Sequence, residues 1–290
     1  MSVIALAGGT GAPGVTSSAL ALLLAWPLDP GRRLILAECD PDGGAVLAGA
    51  LQGRMDARYG LRNLAVAQRK DELVEAFWRQ LVDISEDNSS SRLLLPGITD
   101  PAQAAGLDPA WGSLAELFTR IEDHQHDVLV DLGRRGAFGA SAVLAKRADV
   151  VVMVVRNTLR GVQSAQVRVE ALRKSLAGPG GTGADALAVL LVEGGPYTSG
   201  EVEKALGVPV LARMPWRPKQ AEVLSDGVDG GSRFDRSDLM RAARAATGPL
   251  RERVALRRDR LAPRAPGPYN QGAAYHPQGP YGEGEKADAR

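Results

Sequence analysis

Short, uninterrupted apolar runs alternate along this chain with longer stretches whose apolar positions recur at helical spacing. Residues 3–7, 33–37, 92–95, 128–130, 150–155 and 188–192 are rich in Val, Leu and Ile and are bounded by turn residues. Continuous apolar runs of that length mark strands of a parallel sheet covered on both faces. A seventh run, 208–212, follows the turn at Gly207. Helical patterns fill the intervals at 17–25, 70–82, 111–122, 140–147, 162–176, 199–206 and 239–246. This alternation predicts an α/β fold: a doubly wound, mainly parallel sheet with helices on both faces and right-handed crossovers. The expected boundaries are one domain over 1–248, a basic amphipathic helical segment over 249–262, and a tail over 263–290. The tail is dominated by Pro, Gly, Gln and Tyr and nearly lacks large aliphatics, so it is expected to be disordered.

Composition narrows the classes of function. The 290 residues carry 35 basic and 34 acidic side chains, a net charge of +1, so no global field recruits nucleic acid. A single cysteine, Cys39, excludes an intramolecular disulfide and a cysteine-rich metal site, which suits a reducing cytoplasm. The opening MSVIALAGG has no signal-peptide pattern, and no run of 18 apolar residues predicts a membrane span. The three histidines, His124, His126 and His276, form no metal or triad pattern.

The chemistry lies in the loops that follow the strands. Gly9-Thr10-Gly11-Ala12-Pro13-Gly14-Val15-Thr16 matches G-x-x-x-x-G-K-[ST] at every fixed position but one, where Val15 replaces the lysine. Such a loop works because its N–H groups and the following helix N-terminus face phosphate oxygens, while the Ser/Thr hydroxyl reaches Mg²⁺. Gly9, Gly11, Ala12, Pro13, Gly14, Val15, Thr16 and Ser17 are thus the candidate cradle, with Thr16 as a candidate Mg²⁺ ligand. Valine supplies no charge, so triphosphate binding should weaken and transition-state stabilisation should weaken more. A glycine-rich β–α turn with no ligand is the alternative.

Two acidic loops follow. Glu38-Cys39-Asp40-Pro41-Asp42-Gly43-Gly44 ends the second strand, and alone it could be an ordinary Asp-Pro turn. Asp127-Val128-Leu129-Val130-Asp131-Leu132-Gly133 is an apolar strand ending in aspartate. In this order, after a phosphate-type loop, the three segments resemble the ParA/MinD group of deviant-Walker ATPases. The resemblance implies that Asp40 positions the attacking water and that Asp131 acts on Mg²⁺. The segments Leu94-Leu95-Pro96-Gly97, Ala148–Arg156 and Gly207-Val208-Pro209-Val210 with Met214-Pro215-Trp216 extend it over about residues 1–235. Among the branches, the chain looks nearest to the pilus-associated CpaE/TadZ proteins.

The chain departs from the pattern in several places. Glu38 replaces the first aspartate of the acidic loop. Both family lysines are missing, their positions falling on Val15 and Thr10, and the second normally reaches across a dimer to the partner's nucleotide. Where family members often carry an adenine-reading asparagine, this chain has Val192-Glu193-Gly194-Gly195. Arg134, Arg135, Arg156 and Arg213 sit in loops expected at the carboxyl ends of strands, and any of them could stand in for the missing charge. Otherwise they are solvated arginines in a chain that uses 29 Arg against 6 Lys.

The segment 239–261 reads as a helix, a Gly248-Pro249 break, and a second helix whose Leu250, Val254 and Leu261 share a face crowded by arginines. It is expected to be docked or solvated, with a membrane surface or non-specific DNA backbone as the alternatives. The resemblance implies a cytoplasmic, or inner-membrane-peripheral, spatial-organising protein with a degenerate ATP and Mg²⁺ site. Its expected partners are a protein machine, such as a Tad/Flp pilus or secretion apparatus, and a second copy of itself. Hydrolysis is expected to be weak or absent. The alternatives are an active partition or cell-division positioning ATPase and a module that binds no nucleotide.

Overall fold

A computed structural model describes residues 3–9, 14–54, 59–121 and 125–261 of the chain. The expectations for Thr10, Gly11, Ala12, Pro13, His124 and the 263–290 tail lie outside the described residues. Eight strands form one sheet: β1 (Val3–Gly8), β2 (Arg33–Glu38), β3 (Val82–Asp83), β4 (Arg92–Leu95), β5 (His126–Asp131), β6 (Val150–Arg156), β7 (Leu187–Glu193) and β8 (Val210–Pro215). Their order is β3-β4-β2-β5-β1-β6-β7-β8. Every pairing is parallel except the short edge pair β3–β4. The doubly wound α/β expectation therefore holds.

The apolar runs are continuous because each strand feeds two cores. Ala5, Ile35, Val130 and Met153 pack on one face, under α2 (Leu61–Gln68), α3 (Leu73–Gln80), α4 (Trp111–Arg120), α5 (Ala142–Arg147), α6 (Leu159–Ala177) and α7 (Ser199–Leu206). Ile4, Leu34, Leu129 and Val152 pack on the other, under α1 (Val15–Ala25), α8 (Pro218–Ser225) and α9 (Asp238–Leu261). Neighbouring residues thus point to opposite faces, and both must be apolar. Central β1 is covered completely, so polar chemistry is displaced to the strand ends.

Several local expectations are revised. The helix expected over 70–82 is α3, and its last residues turn into the edge strand β3, where Val82 pairs with Leu94. The run 208–212 becomes strand only from Val210, and its register against β7 shifts between Val210 and Ala212. Helices α2 and α8 fall outside the helical patterns read from the sequence.

The largest revision is at the C-terminal segment. The Gly248-Pro249 break does not occur, and α9 runs unbroken through Pro249. Proline costs a helix one N–H bond and a clash with the carbonyl four residues back, but the further clash with the preceding Cβ is absent because Gly248 has none. Burial then holds the helix together: Leu250 and Val254 are in the core beneath it. Leu250 and Val254 dock against the body of the protein, while Leu261, at the end of the same face, is exposed.

Arginines lock the end of α9 to the amino-terminal edge of the sheet. Arg257, 3% exposed, donates from Nε to the Asp149 carbonyl at 2.7 Å and from Nη2 to the Thr182 carbonyl at 2.6 Å. It also pairs with Asp185. Arg258 forks onto Asp149, with Nε–Oδ1 at 2.8 Å and Nη2–Oδ2 at 2.7 Å, while Asp149 Oδ2 accepts the Val3 N–H at 2.8 Å. No helix among the described residues is long and apolar enough to cross a membrane.

Losing a buried ion-pair partner costs about 3–5 kcal/mol, whereas an exposed pair is worth about 0–1 kcal/mol. Arg257→Ala is therefore expected to lower the urea-unfolding free energy by about 3 kcal/mol. Arg251→Ala, which removes an exposed pair to Asp29, should change it by less than about 1 kcal/mol. Equal unfolding midpoints for the two variants would contradict this anchoring.

Candidate functional site

The carboxyl ends of β1, β2 and β5 bring the candidate residues together. Leu6 of β1 and Glu38 of β2 are both register partners of Asp131 on β5. Helix α1 starts immediately after the loop that leaves β1. Its N-cap, Gly14, is left-handed at φ 80°, and no side chain caps its first turn. Thr16 and Ser17 lie half-buried in that turn. The Thr16 hydroxyl lies near enough to the Asp131 carboxylate to favour its charged form. Two residues 115 positions apart in sequence, one from the phosphate-type loop and one from the aspartate-ended strand, are therefore brought near each other.

Asp131 is 2% exposed, and its Oδ1 accepts the Gly133 N–H at 2.8 Å. Burial raises its pKa to about 6, opposed by the Thr16 hydroxyl and the Gly133 N–H, with the charge of Asp40 raising it further. Asp40 is held by the neighbouring loop: its Oδ1 accepts the Asp42 N–H at 3.0 Å and its Oδ2 the Arg134 N–H at 3.2 Å. Its carboxyl is also pushed up, chiefly by burial. Gly133, at φ +51°, lies so close that a Cβ there would collide with the Asp40 carboxylate. Gly133 is thus required both for its backbone conformation and for the approach of the two aspartate loops.

Glu38 is not a simple stand-in for aspartate. Its carboxylate, 2% exposed, accepts N–H groups from Ala45 at 2.7 Å and Val46 at 3.0 Å through Oε1, and from Gly97 at 3.2 Å through Oε2. Beside it the Gly44 and Gly97 backbones meet too closely for a Cβ on either. The longer side chain ties the loop after β2 to the loop after β4, which gives the departure from aspartate a structural purpose. Burial raises its pKa to about 7, partly offset by the Val46, Gly97 and Ala45 N–H groups, while the Asp131 charge raises it.

Val15, at the lysine position, is 5% exposed and packs among Ile4, Leu6 and Ala19 in the α1-side core. The side chain there faces the interior. The four arginines considered as replacements are engaged elsewhere. Arg134 and Arg135 face Asp42 at 4.0 and 3.5 Å. Arg213 pairs with Glu193 at 3.5 Å. Arg156 stacks on Trp216, 4.1 Å from the ring centroid, and its Nη2 donates to the Gly194 carbonyl at 3.3 Å.

Two residues had not been singled out from sequence. Asn157, following β6, accepts the Gly194 and Gly195 N–H groups at 2.8 and 2.6 Å and so shapes the loop after β7. Arg168 of α6 reaches the end of β1, where its Nη1 donates to the Gly8 carbonyl at 3.3 Å and to the Arg134 carbonyl. A signal for Arg168 existed. It stands seven residues after buried Gly161, on the edge of the face carried by Ala165, Val169 and Leu172.

Among the described residues no group of three or more His, Cys, Asp or Glu is arranged to hold a metal ion. The Thr16–Asp131 pair nevertheless fits Mg²⁺, which is typically held by one or two protein groups plus phosphate oxygens and water.

No family model matches the chain, and no curated protein matches it in sequence. Solved structures do match it in fold. A ParA family ATPase from Chlorobium tepidum superposes with a TM-score of 0.66 at 16% identity, covering 85% of this chain and 98% of that one. The cell division ATPase MinD of Pyrococcus furiosus gives 0.64 at 20% identity, covering 87% and 98%. The septum site-determining protein MinD of Pyrococcus horikoshii, solved with Mg-ADP, gives 0.63 at 16% identity, covering 88% and 98%. At these identities the likeness establishes a MinD/ParA-type P-loop NTPase fold.

The raised carboxyls define a pH dependence. Glu38 (ordinarily 4.5, here about 7) and Asp131 (ordinarily 3.8, here about 6) bind protons more tightly folded than unfolded. Stability contributed by these two groups should therefore fall as pH rises through the window from about 4 to 7. In Glu38→Gln the fall should be shallower. Urea-unfolding free energies at pH 5 and 7.5 measure the difference, and identical slopes for the two proteins would refute the assignment. Gly133→Ala should displace the Asp40 loop and cost about 2 kcal/mol, as strained or overpacked positions do. An unchanged midpoint would show that the two loops do not need that approach.

Proposed function

We propose that this chain is a MinD/ParA-like spatial-organising protein with a degenerate nucleotide site, positioning or scaffolding a partner machine such as a Tad/Flp pilus or secretion apparatus. One observation carries the reading. Thr16 and Asp131 lie near each other, as a phosphate-loop hydroxyl and an Mg²⁺-directed aspartate would, while the lysine position holds a buried valine. ATP or ADP with Mg²⁺ is the expected ligand, as the Mg-ADP complex of the Pyrococcus horikoshii MinD suggests by likeness of fold. In that role Gly9, Gly11, Ala12, Pro13, Gly14, Val15, Thr16 and Ser17 follow the phosphates with their backbone, Thr16 and Asp131 hold the ion, and Asp40 orients the attacking water. Bound Mg²⁺ would neutralise charge on the phosphates. Without the loop lysine, part of the transition-state charge goes unopposed.

Loss of one preorganised donor typically costs about 10²–10³ in turnover. The protein partners are proposed on the same basis: a partner machine, and a second copy of this chain. The covered Leu250 and Val254 of α9 favour the docked reading of that segment over a membrane or DNA contact.

A second reading, a working positioning ATPase, draws on Asp40. Its carboxyl is half-buried, is raised in pKa, and stands beside the Asp131 loop. Thermal unfolding with ATP·Mg²⁺ or ADP·Mg²⁺ tests both readings, because a ligand of the native state raises the midpoint by mass action. The expected result is a raised midpoint with turnover near background. Turnover abolished by Asp40→Ala, with the fold retained, would favour the ATPase. No shift at millimolar nucleotide would overturn both and leave a module that binds something else.

A further inference from the structure

We infer that the cavity between α8 and the start of α9 is a binding site for a small polyanion bearing two or more phosphate groups. The cavity includes none of the glycine-loop or aspartate-loop residues, so the site stands whether or not that loop takes a nucleotide.

The cavity measures about 500 Å³, within the usual range for small-molecule sites. Lys219, Arg233, Arg236 and Arg241 line it against only two carboxylates, Asp229 and Asp238. Val223 and the Phe234 ring supply apolar lining. A single orthophosphate would fill a small part of that volume, whereas a chain of phosphates, or phosphates carried on an organic group, would span it.

The acids of this region are already committed. Asp238 takes Arg217 on one oxygen, with Nε–Oδ2 at 3.2 Å, and Arg241 on the other. Asp235 pairs with Arg244. Asp229 spends Oδ1 on the Gly231 N–H at 2.8 Å, closing its own turn. Lys219, Arg233 and Arg236 are exposed and pair with no carboxylate among the described residues. A cleft lined mainly by one sign of charge focuses its field and concentrates counter-ions. Guanidinium forks onto phosphate oxygens, and such charge-assisted bonds are among the stronger ones available.

The surrounding chain holds this geometry before any ligand arrives. Gln52 Nε2 donates to the Asp226 and Gly227 carbonyls at 3.2 and 2.8 Å, which pins the loop leaving α8. Gly227 and Gly231, left-handed at φ 65° and 62°, let that loop double back. Phe234 fits against it so closely that a Cβ on Gly230 would collide with the Phe234 side chain. Gln220 Oε1 accepts the Leu239 N–H at 3.0 Å and ties α8 to the first turn of α9. Pre-organisation of this kind separates a binding cavity from a set of independently solvated arginines.

The probe is inorganic tripolyphosphate in EDTA, so that no Mg²⁺ supports binding at the glycine loop. Isothermal titration at about 0.15 M salt compares the full-length wild type, the double variant Arg233→Gln/Arg236→Gln, Thr16→Val, and Arg79→Gln as an exposed control on α3. Wild type is expected to bind saturably. The double variant should bind about tenfold or more weakly, while Thr16→Val and Arg79→Gln should differ from wild type by less than about twofold. In wild type, tripolyphosphate should also protect Arg233 and Arg236, but not Arg79, from phenylglyoxal, read by mass spectrometry, which tests the site even if the double variant fails to fold. No saturable binding, unchanged affinity in the double variant, an equal loss in Arg79→Gln, or no selective protection would overturn the site. A loss confined to Thr16→Val would overturn it by placing the anion at the glycine loop. A short DNA duplex that binds through Arg233 and Arg236 where tripolyphosphate does not would overturn it in favour of a nucleic-acid backbone.

Discussion

Two buried carboxylates, Glu38 and Asp131, stand opposite each other on adjacent strands at the carboxyl end of the sheet. Neighbouring strands lie only about 4.8 Å apart, so the pair would repel strongly if left unsatisfied. The local architecture answers that repulsion. Glu38 takes three N–H groups from two loops, and Asp131 takes the Gly133 N–H with the Thr16 hydroxyl near it. Each of these bonds also fixes a loop. The position of the α1 start, the turn after β5 and the close contact of Gly44 with Gly97 all follow from satisfying these two acids.

The same constraint shapes the chemistry that the site can carry. A cluster of acids suits a divalent cation and opposes a bare phosphate, so a phosphate-binding loop here needs positive charge from somewhere. Val15 has withdrawn into the core with Ile4 and Leu6, while Arg134 and Arg135 share the single carboxylate of Asp42 and Arg213 pairs with Glu193. The Asp42 pairs with Arg134 and Arg135 hold the acidic loop against the loop after β5 rather than facing a ligand.

At the opposite edge of the sheet, α9 shows the reverse use of charge. Arg257 and Arg258 are bonded into Asp149, Asp185 and the Thr182 carbonyl. A basic stretch that would suit an anionic surface is partly consumed in closing the fold. The two edges divide the labour: the amino-terminal edge is locked by ion pairs, and the carboxyl-terminal edge carries loops with polar groups available to a ligand.

The sequence by itself determined the layered architecture, because runs such as those in β6 and β7 are apolar at successive positions and can only be buried on both faces. Thr16 was singled out by the spacing of the phosphate-type loop, and Asp40 and Asp131 by the order of motifs that resembles the ParA/MinD group. The sequence could not show that Thr16 lies near Asp131, that Glu38 staples two loops, or that Arg168 reaches Gly8, because those approaches join segments whose spacing in sequence carries no information. Nor could it foresee α9 passing through Pro249, where local propensity argued for a break and the burial of Leu250 and Val254 prevailed. Local pattern decides which residues are inside and where strands end. Which charges meet at those ends is settled by packing, since that alone brings distant side chains within hydrogen-bond reach.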